Sequence, residues 1–225
     1  MKQNLIIIAV SFLLLSCQKE FTNDTPTIGG NVGNTKPADT CESYFPLTTG
    51  STWTYDLTGD TQVNTVTTPD TVIGGNTFKR ITQDISGDVS NSFYREENGN
   101  IYAFLDLSRV SNVRSNVLIN PLRSRASVGD KWHDTIVINN ITERLEYEIV
   151  EKNISHQVDT LHFNNVLHVQ YSVRLDRSPI ITDQLVQITD VWYAKCVGVV
   201  ETENQLLLSS TLIGSPNKLK NYSIH

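Results

Sequence analysis

The chain contains no apolar run long enough to cross a membrane as a helix, and it has only three cysteines in 225 residues. A helical span takes roughly 20 apolar residues. The longest run, residues 5–15, stops about halfway to that length before Ser16-Cys17-Gln18-Lys19-Glu20 turns polar. Positive charge is also short: 18 Lys and Arg stand against 24 Asp and Glu, a formal net charge of -6. An excess of that sign repels phosphate backbones and anionic head groups, which argues against nucleic acid as a partner. There is no Gly-x-Ser-x-Gly elbow and no cysteine with an evident histidine partner. None of the usual zinc-ligand spacings joins the five histidines. These gaps lead us to expect no enzyme, no metal and no cofactor. Paired carboxylates of the glycosidase kind stay open, because such residues converge only in the fold.

What is present begins at the N-terminus. Met1 to Asn4 carries one positive charge, at Lys2, and residues 5–15 are apolar, which is the build of a signal peptide covering residues 1–16. Leu14-Leu15-Ser16-Cys17 resembles the lipobox of bacterial lipoprotein signals. The resemblance implies cleavage before Cys17 and acylation of that cysteine, with palmitate-type chains as the membrane contact. Each buried methylene is worth roughly 0.8 kcal/mol, so two or more chains anchor a protein durably. Gln18-Lys19-Glu20 resembles in part the export signal that carries Bacteroidota-type lipoproteins to the cell surface; Phe21 stands where a further acid is usual. The expected location is therefore the outer membrane, on its surface or periplasmic face. Residues 17–40 are rich in Thr, Asn, Gly, Asp and Pro and poor in apolar side chains, so they cannot offset their own ordering entropy. They read as a flexible tether with a reach of roughly 25–30 Å. The folded domain is placed at residues 41–225.

Within that domain the apolar period is two. Leu167, Val169, Tyr171, Val173 and Leu175 alternate with His168, Gln170, Ser172 and Arg174, as a strand with one wet and one buried face requires. Residues 144–152 and 53–57 behave alike. Weaker strands are expected at 62–68, 77–84, 91–96, 101–107, 135–139, 183–194, 198–203 and 206–213. Gly74-Gly75-Asn76, Asn98-Gly99, Asn139-Asn140 and Asn164-Asn165 read as turns. Residues 110–122 hint at a helix without a convincing apolar face. Many closely spaced strands without helical crossovers predict an all-β fold, a curved and partly closed antiparallel sheet.

One pattern recurs: Pro46-Leu47, Gly50 and Trp53 are echoed by Pro121-Leu122, Gly129 and Trp132. Each set precedes a strand and is followed by an Asp-Thr step, at Asp70-Thr71 and Asp159-Thr160, so an internal duplication into two similar β units is an expectation for the domain. These motifs, together with Trp192-Tyr193-Ala194-Lys195-Cys196-Val197-Gly198, resemble a group of Bacteroidota-type lipoproteins without an assigned activity. The resemblance implies a half-barrel similar to lipoprotein carriers. Where that group usually has glycine, this chain has Cys196.

Several residues remain as candidate sites. With Cys17 taken by lipid, Cys41 and Cys196 either pair in the oxidising envelope or stay separate thiols, one of them buried; pairing is the expectation. It would close a loop of about 155 residues and stabilise the fold by up to ~5 kcal/mol. Thr71, Thr135 and Thr160 each follow an aspartate and precede an apolar residue, which resembles the acceptor for O-linked glycans on exported proteins of this type. The same triplet is also how strands start. Trp53, Trp132 and Trp192, with Tyr55 and Tyr193, could form a sugar-stacking platform, but strand tryptophans with apolar same-face neighbours are read as core. The histidines at 133, 156, 162, 168 and 225 are read as ordinary surface residues. The expected function is a membrane-anchored, non-catalytic binding or envelope-assembly module, whose partner is an envelope protein, a glycan or an apolar ligand. The alternatives are an acyl-chain carrier and a hydrolase.

Overall fold

The structure, a computed structural model, describes residues 41–106, 116–138, 141–177, 181–207 and 216–225. The leader and tether, with Cys17, Gln18, Lys19 and Glu20, lie outside the described residues, as does the Asn139-Asn140 turn. Twelve strands follow one another: β1 (Thr52–Asp56), β2 (Thr61–Ile73), β3 (Asn76–Ile85), β4 (Asp88–Glu97), β5 (Asn100–Asp106), β6 (Asn116–Arg123), β7 (Lys131–Ile138), β8 (Ile141–Val158), β9 (Leu161–Arg177), β10 (Ile181–Ala194), β11 (Gly198–Leu206) and β12 (Pro216–Ser223). No helix occurs among the described residues.

The strands form one antiparallel sheet in the order β6-β5-β4-β3-β2-β1-β12-β11-β10-β9-β8-β7. Each strand therefore pairs with its sequence neighbours, β1 pairs with β12, and only β6 and β7 fail to zip. The result is a nearly closed barrel with one unsealed seam, so the expected all-β, partly closed sheet is what the chain forms. Side chains of β7 satisfy part of the open β6 edge. The Trp132 indole donates to the Asn120 carbonyl at 2.7 Å, and the Asn120 N–H donates to Asp134 Oδ2 at 2.7 Å. An edge that would otherwise offer free peptide groups to another strand is thereby blunted.

The two expected β units are two six-stranded meanders, β1–β6 and β7–β12, and the same turn opens both. Gly50 and Gly129 adopt φ of 91° and 86°, in the left-handed half of the map that glycine enters at least cost. Gly50 N–H donates to Val66 at 2.9 Å, and Gly129 N–H to Ile149 at 2.8 Å. Ser51 N–H reaches Thr48 at 3.1 Å, and Asp130 N–H reaches Ser127 at 3.0 Å. In both copies the tryptophan is the second residue of the strand that follows, and its indole donates to a backbone carbonyl, that of Val197 for Trp53 at 2.5 Å.

Period-two alternation fills the barrel. Along β8, Leu145, Tyr147 and Ile149 are buried while their neighbours are only partly covered; along β9, Leu167, Val169, Tyr171, Val173 and Leu175 do the same. Two sequence expectations fail here. Asn164-Asn165 is not a turn, because β9 runs straight through it. Asn165 takes φ 56° opposite a stretch of β8 where Asn153 takes φ 57° and the register slips. Asparagine tolerates the left-handed conformation in a bulge as readily as in a turn, so the dipeptide alone cannot tell the two apart. The helix hinted at 110–122 is strand β6 over its described part. Of the strand expected at 206–213, Leu206 is the end of β11, and a further strand that the sequence did not announce, β12, starts at Pro216 where a missing N–H costs least. Residues 208–213 lie outside the described residues.

Candidate functional site

Residues 41–47 form a strap between the end of β4 and the β10–β11 turn. Cys41 is joined to Cys196 in a disulfide, with Cα atoms 5.6 Å apart. The Cys196 N–H donates to the Ser43 carbonyl at 2.7 Å, Lys195 pairs with Glu42 at 2.7 Å, and the Ser43 hydroxyl donates to Glu96 at 2.6 Å. Cys196 sits at φ 65°, a conformation that suits glycine. The cysteine holds the turn with a covalent link. Gly198, two residues on, has φ +107°, where an L side chain is strained, and a Cβ there would lie 3.3 Å from the Trp53 indole nitrogen, so the indole would have to give way by a few tenths of an ångström.

From the strap, Phe45 enters the barrel and packs against Tyr94 with ring centroids 4.9 Å apart and the rings tilted by 44°. It lines two small cavities, each of about 50 Å³. One is apolar and aromatic, bounded by Tyr94, Ile119, Leu145, Tyr147, Tyr171 and Tyr193. The other, between β1–β4 and β11–β12, mixes aromatic rings (Trp53, Tyr55, Tyr94) with uncharged polar groups (Gln62, Asn64, Gln83, Ser92, Thr202, Asn217). Burial pushes the Tyr171 phenol up to about 12 and raises Tyr55, Tyr94 and Tyr193 too, so all four stay neutral hydrogen-bond donors. Tyr55 donates to the Val199 carbonyl at 3.0 Å. In the polar chamber Gln62 and Thr202 are 3% and 1% exposed, yet Gln62 Oε1 and Thr202 Oγ1 find no partner among the described residues. An unpaired buried polar atom costs about 1–3 kcal/mol, so these two positions are chemically unfinished.

The outer face carries a second constellation. The Trp192 ring lies between His168, at 4.6 Å and 12°, and His156, at 5.0 Å and 5°. His168 Nε2 faces Asp190 at 2.8 Å and its Nδ1 faces Glu151 at 3.2 Å, while His156 Nε2 faces Glu201 at 2.7 Å. Carboxylates only accept, so satisfying both nitrogens of His168 takes the imidazolium. Burial opposes that charge; the hydrogen bond and charge of Asp190, then those of Glu151, outweigh it and raise the pKa.

These findings revise the sequence reading of two residue types. Trp53 and Trp132 are core, but Trp192 faces outward with histidines as its neighbours. His156 and His168 are hydrogen-bonded to carboxylates rather than free surface residues. Among the described residues, no three or more His, Cys, Asp or Glu side chains are arranged to hold a metal. The three Asp-Thr steps stay apart: Thr71 is half-buried in β2, Thr135 is exposed on β7, and Thr160 is exposed in the β8–β9 turn. Sequence reading passed over a Ser-x-x-Lys spacing at Ser215 and Lys218. Ser215 lies outside the described residues, and Lys218 is held by Asp159 at 3.3 Å. It also missed the polar chamber. Its only signal was polar residues at the inward phase of β2 and β11, where Gln62 and Asn64 precede Val66 and Thr202 and Asn204 follow Val200.

No protein-family model matches the chain, and no curated protein does. Among solved structures, a protein from Parabacteroides distasonis, provisionally described as a lipoprotein, superposes with a TM-score of 0.51 at 15% identity, over 81% of this chain and 99% of that one. At that identity the likeness speaks for the fold.

Proposed function

We propose that the chain is a lipid-anchored, non-catalytic binding module of the bacterial outer membrane, held by acyl chains on Cys17 and displayed on a tether. The observation that carries the binding reading is the unfinished polar chamber beneath the strap, a recess lined by uncharged hydrogen-bonding groups, two of whose buried oxygens lack a partner among the described residues. Size weighs against the acyl-chain carrier: each cavity holds about 50 Å³ and Phe45 lines both, whereas enclosing an acyl chain takes ~300 Å³ or more, so the chamber can admit only one polar edge of a ligand. A hydrolase of the paired-carboxylate type finds little support inside the barrel. The inward carboxyl there, Glu143, is shifted by burial, with no second acid contributing. The provisional lipoprotein description of the Parabacteroides protein supports the anchored setting, and Gln18-Lys19-Glu20 supports the surface face. The test is fractionation: Cys17→Ala should move the protein out of the membrane pellet, and Lys19→Ala with Glu20→Ala should lower its protease accessibility on intact cells. Retention of the Cys17→Ala protein in the pellet would refute the anchor, and unchanged shaving would refute the export signal.

A further inference from the structure

We infer that the polar chamber is a binding site for a small, uncharged, hydroxyl-bearing molecule, a monosaccharide or polyol or the terminal ring of a neutral glycan. The inference rests on the binding reading above and names its ligand class. Three properties of the chamber select that chemistry. The first is unmet hydrogen bonding. Gln62 Oε1 can only accept and Thr202 Oγ1 can donate or accept, and neither finds a partner among the described residues although both residues are more than nine-tenths buried. Gln62 already uses its amide N–H on Asn64 Oδ1 at 2.9 Å, which leaves its carbonyl oxygen without a donor among the described residues; this oxygen and that of Thr202 have almost no open surface, so a ligand in the chamber meets them as the side chains shift. An aliphatic occupant would leave both atoms unpaired.

The second property is charge. No Asp, Glu, Lys, Arg or His is among the residues that line the chamber. An ionic ligand would shed its hydration shell there without a counter-charge, at a cost of several kcal/mol. The third is the aromatic wall: Trp53, Tyr55, Tyr94 and Phe45 face the same space, and sugar rings join C–H faces to hydroxyl edges, matching apolar rings beside amides. The volume of about 50 Å³ corresponds to roughly four water-sized centres, so the site takes a small ring edge or a short polyol and displaces water from it. The strap sets access, because Phe45 lines the chamber and its segment is pinned at Cys196 and Glu96.

The experiment uses the whole mature chain carrying Cys17→Ser, so that it is soluble, followed by NMR of the tryptophan indole and glutamine side-chain N–H signals. The probes are glucose, N-acetylglucosamine, galactose and myo-inositol, with glucuronate and decanoate as charged and apolar controls. The expected result is saturable shifts of the Trp53 and Gln62 signals by at least one neutral probe, with weaker or no response to both controls. Thr202→Val removes only an unpaired hydroxyl, and so should weaken that binding about tenfold or more while leaving the melting temperature equal or higher. Gln62→Leu should do the same with a stability cost from its lost bond to Asn64. No shift with any neutral probe up to ~100 mM would overturn the inference and leave the membrane anchor untouched. So would unchanged affinity in folded Thr202→Val, or a crystal structure in which ordered waters pair both atoms and no sugar displaces them. Decanoate binding in preference to every neutral probe would overturn this inference and restore the carrier reading.

Discussion

Replacing Glu143 by glutamine tests the energetics of the barrel interior. Glu143 faces inward from β8 and is 3% exposed. Its cross-strand partners are Ile136 on β7 and Leu175 on β9, both buried, and its Oε2 has no hydrogen-bond partner among the described residues. Burial with nothing to offset it pushes the carboxyl from 4.5 up to about 7. The folded protein therefore binds a proton between those values that the unfolded chain has released, and stability falls as pH rises through that window. A shift of about 2.5 units at 1.36 kcal/mol per unit makes the penalty about 3 kcal/mol above pH ~7 and nearly nothing at pH ~4.5. Glu143→Gln removes the titration but leaves a buried amide, which costs about 1–3 kcal/mol at every pH. The diagnostic is therefore the change in the mutational effect with pH. Urea unfolding followed by tryptophan fluorescence at several pH values between ~4.5 and ~8 should show the variant gaining about 3 kcal/mol relative to wild type across the range. Other titrating groups, His168 among them, are common to both proteins and cancel in the subtraction. A difference that stays flat with pH would refute the view that Glu143 is an unpaired buried acid.

Two further outcomes follow from the ion pairs and the strap. His168 has a raised folded pKa, so its contribution is fully present below the unfolded value near 6.5 and is lost as pH rises through the folded one. His168→Ala should flatten stability across that window, and NMR of the ring should titrate above 6.5 in the wild type; a ring titrating below 6.5 would contradict the imidazolium geometry. For the strap, alkylation without reductant followed by mass measurement should find no free thiol at Cys41 and Cys196. Two labelled thiols would exclude the bridge, while Cys196→Ser should cost at most ~5 kcal/mol because that is the whole loop-closure contribution.

The sequence by itself determined the fold class, since alternation as plain as that of Leu167 to Leu175 fits only a strand with one buried face. It also carried the doubling of the chain, because Gly50 with Trp53 and Gly129 with Trp132 place the same turn and anchor at the start of each meander. Such signals are local: period, turn and anchor are set by residues a few positions apart. The tertiary structure decided what depends on which strands end up as neighbours. Closure through β1 and β12 could not be read, because β12 is short, polar and opens on a proline. The bulge at Asn165 changes which face His168 shares with Trp192, and a one-residue slip in register is invisible to a pattern of period two once it breaks. The polar chamber is the clearest case. Gln62 and Thr202 are far apart in the chain, and each alone reads as a weak spot in a strand. Only the curvature of the sheet brings them to one recess, and only burial makes their unpaired oxygens costly enough to mean something.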